Sequence, residues 1–82
     1  MNITKKRLFL YGLSINYAIG TKTRAEALDL ITDKREENGK SPNIKEAGKL
    51  FDKVREIAES KDTSKNKLSK IWGLVVECCQ KI

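Results

Sequence analysis

Apolar residues recur at helical spacing in four stretches of the chain, and the residues between those stretches are ones that begin or end helices. The first stretch, Lys5 to Ile19, is apolar on nearly every side. At about 100° per residue, Leu8, Tyr11, Ile15, Ala18 and Ile19 share one face, and Phe9, Leu10, Leu13 and Tyr17 share a second. Only Ser14 and Asn16 interrupt. Thr4 is placed to cap the start and Gly20 to stop the end. The β-branched and aromatic content would also suit a strand, and helix is the expectation adopted.

Thr23-Arg24-Ala25-Glu26 has the form of a capping box and opens a second helix from about Arg24 to Asn38. Its inner stripe is Ala27, Leu28 and Ile31, with Leu30 at the edge, and Asn38-Gly39 ends it. A third helix begins at Pro42 or Ile44, capped by Ser41 or by Asn43 with Glu46, and runs to Ser60. Ile44, Ala47, Leu50, Phe51, Val54, Ile57 and Ala58 make it the clearest amphipathic helix in the chain. The fourth runs from Ser64 to Lys81, capped by Asp62, Thr63 or Ser64. Leu68, Ile71, Trp72, Val75, Cys78, Cys79 and Ile82 fall within an arc of about 120° on it. The pattern therefore predicts one all-α domain over residues 1–82, a small bundle of about four helices. So short a chain buries a small core, and self-association into a homodimer or larger homo-oligomer is expected.

Charge changes this picture by dividing the chain. The net charge is +6. Residues 1–24 hold five bases and no acid, and residues 60–82 hold five bases and two acids. The middle is mixed. Two basic ends favour anionic partners: nucleic acid, an acidic protein segment or an anionic membrane face. Leu8 to Ile19 falls well short of the roughly 20 residues a membrane span needs. Lys5-Lys6-Arg7 followed by that apolar run has the outline of a signal peptide. Gly12, Ser14 and Asn16 break the run, so the segment is expected to stay in the protein as a helix. The two cysteines, Cys78 and Cys79, are sequence neighbours, which disfavours a relaxed disulfide between them. They suit a reducing compartment, and the cytoplasm is the expected location.

Little in the sequence suggests catalysis. Histidine is absent, which removes the commonest general base and most zinc sites. Cys78-Cys79 lacks the gap of a metal or redox motif and shares a face with Trp72 and Val75, so core packing is expected. Glu36-Glu37 and Asp52/Glu56 sit among lysines as solvated charge, and no glycine belongs to a phosphate-loop pattern. No enzymatic activity, cofactor or metal is expected.

Binding is the remaining class. A small bundle readily covers one apolar face of a helix, and covering both faces of the first one needs a central position or a partner. The expectation is that Phe9, Leu13 and Tyr17 anchor a dimer or protein interface, with Lys5, Lys6 and Arg7 attracting charge at its rim. The alternative is nucleic acid. Lys61, Lys65, Lys67 and Lys70 together with Lys5, Lys6 and Arg7 would form one phosphate-binding surface, although it offers no arginine fork for base readout. A membrane surface enters only as an accessory to the lysines.

The start Met1-Asn2-Ile3-Thr4-Lys5-Lys6, the segment Tyr11-Gly12-Leu13-Ser14, the length and the basic helical character resemble the rapid-lysis protein III family of the T-even phages. That family consists of small cytoplasmic antiholins. The resemblance implies lysis inhibition through binding of the cytoplasmic segment of a phage holin, beside an anionic membrane surface. It assigns no individual residue.

Overall fold

The computed structural model describes residues 3–37 and 43–81, and the caps expected from Asn38, Gly39, Ser41 and Pro42 lie outside them. Four helices make up the described chain: α1 (Ile3–Ile19), α2 (Arg24–Glu37), α3 (Ile44–Glu59) and α4 (Ser64–Lys81).

Local sequence sets most of the helix ends. α1 begins at Ile3, so Thr4 lies inside its first turn rather than capping it. At its far end Gly20 adopts φ 85°, the left-handed conformation that glycine enters without Cβ strain. The Gly20 N–H then donates to the Tyr17 carbonyl at 3.2 Å and the Thr21 N–H to the Asn16 carbonyl at 2.9 Å, satisfying two orphan acceptors as in a Schellman motif. The expected capping box forms at α2: the Glu26 N–H donates to Thr23 Oγ1 at 3.1 Å, and the Thr23 N–H donates to Glu26 Oε1 at 3.3 Å. α3 starts at Ile44 with Asn43 as its cap, whose Oδ1 accepts from the Glu46 N–H at 3.3 Å. Thr63 caps α4, its Oγ1 accepting from the Asn66 N–H at 3.2 Å.

Side-chain contacts give the helix directions. Lys67 near the start of α4 donates to the carbonyl of Ala58 near the end of α3, and Cys78 near the end of α4 lies against the carbonyl of Glu46 at the start of α3. These two helices are antiparallel. Tyr11 meets Trp72 and Lys6 reaches Cys79, so α1 is antiparallel to α4 as well. α1 and α3 therefore run the same way, and with α4 they enclose most of the core: Leu10, Leu13 and Tyr17 of α1, Ala47, Leu50, Phe51 and Val54 of α3, and Ile71, Val75, Cys78 and Cys79 of α4. α2 adds Ala27 and Ile31 and, among the described residues, packs on α3 and α1 and not on α4. Its first residue, Arg24, pairs with Asp52 of α3 at 3.3 Å. The Arg24 guanidinium lies over Gly48, where a Cβ would come within 2.7 Å of it.

Because α2 avoids α4, the outer side of the α1–α4 pair has no helix over it among the described residues. That absence positions the candidate site.

Candidate functional site

The expected anchor face of α1 is its inner face. Leu13 and Tyr17 are buried in the chain's own core and Phe9 packs half-buried against it, so they are not exposed anchors for a partner. The Tyr17 ring packs 5.5 Å from that of Phe51, and its hydroxyl accepts from Arg55 Nε at 3.2 Å while the guanidinium lies 4.7 Å from the ring centroid. α1 is apolar all round, so packing rather than local pattern decides which side turns inward.

The outward side is the other one. Leu8 is 59% exposed and Ile19 68%, with half-buried Tyr11 and Ile15 beside them. Gly12 lies between Leu8 and Ile15, and a Cβ placed there would meet nothing within 4 Å. α4 extends this face. Leu68 and Trp72, expected in its buried stripe, are 43% and 37% exposed because α4 turns only Ile71, Val75, Cys78 and Cys79 fully inward. The rings of Tyr11 and Trp72 meet edge to face at 5.1 Å, which joins the two helices into one surface.

Several of the basic residues expected to bind a partner serve helix ends. Lys6 Nζ donates to the carbonyl of Cys79 at 3.4 Å, and Lys67 Nζ to that of Ala58 at 3.0 Å. Each places a cation at a helix C-terminus, where the dipole and unpaired carbonyls favour it. Lys70 pairs with Asp62 at 2.6 Å. Arg7 is half-buried, while Lys5, Lys61 and Lys65 are exposed. The two basic groups stand at opposite ends of the helix pair rather than in one cluster. Lys6 and Arg7 lie by the end of α4, and from Cys79 back to Lys65 the helix axis rises about 21 Å.

Asp62 has its own role. Its carboxylate accepts from Lys70, from the Asn66 side chain at 2.9 Å and from the Thr63 N–H at 2.8 Å. Chiefly through Lys70, these donors hold its pKa at about 2, against an ordinary value of 3.8. A carboxyl whose folded value lies below its unfolded one adds stability above the unfolded value and loses it as pH falls through the folded value. Its contribution should thus be complete above pH 3.8 and fade toward pH 2. Thermal melts of Asp62→Asn and the parent should differ at neutral pH and converge as pH approaches 2; a constant gap would exclude this role.

Cys78 and Cys79 are buried core residues, as their spacing predicts. Burial raises the Cys79 pKa, partly offset by Lys6 and Arg7, which disfavours the reactive thiolate. Between α3 and α4 a shallow cleft lined by Glu46, Lys53, Leu74 and Glu77 offers about 50 Å³, far below the several hundred that hold a small-molecule ligand. Among the described residues no helix is long and apolar enough to cross a membrane. Comparison with protein-family models, curated proteins and solved structures gives no match.

Proposed function

We propose that this chain is a small regulatory binding protein that takes a short protein segment on the outer face of α1 and the adjoining edge of α4. One observation carries the reading. Leu8, Ile15 and Ile19 share a surface with Leu68 and Trp72, and among the described residues no helix covers it. Contiguous exposed apolar surface on a small domain marks an interaction site. The resemblance to the rapid-lysis III family supplies the partner: the cytoplasmic segment of a holin, bound so as to delay lysis. The structure changes the residues expected to do this. The anchors are Leu8, Ile15, Ile19 and Trp72 in place of Phe9, Leu13 and Tyr17.

Capture of the protein by an immobilised holin cytoplasmic segment tests the reading. Leu8→Glu with Ile19→Glu should abolish capture while leaving the circular dichroism melt close to that of the parent, because both side chains are largely solvated. Undiminished capture by a folded double variant would remove this face from the reading. Tight DNA binding that falls steeply with salt would instead make phosphate contact the primary role.

A further inference from the structure

We infer that the α1–α4 outer face also docks on anionic lipid bilayers, as a peripheral surface lying flat against the headgroups. The inference goes beyond the partner reading and does not rest on it.

Its first support is the order of residues on each helix. On α1, Lys5, Leu8, Gly12, Ile15 and Ile19 follow one another at spacings of three and four, and on α4 so do Lys65, Leu68, Trp72 and Val76. Each series opens with an exposed lysine and continues apolar apart from one glycine. The helices are antiparallel, so Lys5 and Lys65 stand at opposite ends of the face, about 20 Å apart along the helix axes. Long lysine stems can lie along apolar surface while their ammonium groups reach the headgroups.

Charge complementarity is the second support. α1 contains no acid. The one acid of α4, Glu77, lines the cleft toward α3, on the far side of the helix from Trp72. Among the described residues, the docking face thus presents lysine and apolar groups with no carboxylate to meet anionic headgroups. Acids gather on the other layer instead, with Glu26, Asp29 and Asp33 on α2 and Asp52, Glu56 and Glu59 on α3.

Third, the edge between the helices is a Tyr11–Trp72 pair, and these two aromatic types favour the membrane–water interface. Leu8 and Ile19 are largely exposed and Trp72 is about a third exposed beside them, as a surface that enters the headgroup boundary requires. A second copy of this chain fits less well, since each copy would bring the same basic face, on which the described residues place no acid.

Trp72 is the only tryptophan, so its emission reports contact directly. The full chain would be titrated with phosphatidylcholine–phosphatidylglycerol vesicles and with phosphatidylcholine alone, following emission and co-sedimentation. A blue shift and pelleting with the anionic vesicles, and neither with the neutral ones, is the expected result. Leu8→Glu with Ile19→Glu should weaken anionic binding by more than about tenfold. Gly12→Leu adds apolar surface where nothing stands in the way, so it should tighten binding to lipid, whereas it would obstruct a docked helix. No anionic binding at low salt would overturn the inference. So would equal binding by a folded double variant, which would leave the lysines acting alone, or weaker vesicle binding by Gly12→Leu. A lipid-free dimer that already shields Trp72 would assign the face to a second copy and overturn it too.

Discussion

Phe51→Ala is expected to remove a large share of the folding free energy. Phe51 is 0% exposed and packs in the core that α1, α3 and α4 form together. Removing a buried phenylalanine ring typically costs about 3–5 kcal/mol, the lost transfer energy plus the cavity left behind. A domain of this length holds in total only about 4–12 kcal/mol. Each kcal/mol shifts the melting midpoint of so small a domain by about 4–8 °C, so a fall of about 12–40 °C should follow. Thermal melts by circular dichroism measure it. Phe51→Leu separates ring loss from volume loss and should recover much of the fall. A drop of only a few degrees for Phe51→Ala would show that the site collapses around the missing ring or that the core lies elsewhere.

The helices were legible because their ends carry local chemistry. Thr23 with Glu26, Asn43 with Glu46 and Gly20 each needed only neighbours a few residues away to act. The clean stripe of α3 was legible too, since Ala47, Leu50, Phe51 and Val54 leave one choice of inner side. α1 offered no such choice. Both of its faces could fill a core, and the selection was made by where α4 and α3 lie, which is long-range information. The small polar cues were also equivocal. Ser14 reads as an interruption of the apolar run, yet it is fully buried, with no hydrogen-bond partner for its hydroxyl among the described residues. Lys6 lies toward the inner side, which would argue that this side is solvated, but its stem carries the charge out to the end of α4. Gly12 and Lys5 did mark the outer side, and neither is decisive alone. The lysines are spread along the helix pair instead of clustered for a related reason. Sequence shows that bases are numerous at both termini, whereas the antiparallel run of α4 is what sets its two ends apart.

Tyr17→Ala should reveal the inner face of α1 as clearly as Leu8→Glu with Ile19→Glu reveals the outer one. The substitution removes a buried ring from Phe51, a cation–π partner from Arg55 and the acceptor for Arg55 Nε. Loss of the ring alone is worth about 3–5 kcal/mol. The exposed Arg55 guanidinium loses its stacking partner as well. Tyr17→Phe keeps the ring and deletes only the hydroxyl, so it should cost about 1 kcal/mol. The pair of variants therefore divides packing from polar contact at one position. It also divides folding from binding. Tyr17→Phe should lower the melting midpoint by a few degrees and leave segment capture and vesicle binding intact, while the outer-face variant should do the reverse. Those opposite outcomes follow from one geometric fact, that α1 turns Leu13 and Tyr17 into the core and Leu8 and Ile19 away from it. If Tyr17→Phe abolished capture while the protein stayed folded, the partner would reach the Tyr17–Arg55 edge, and the outer face would not be the whole site.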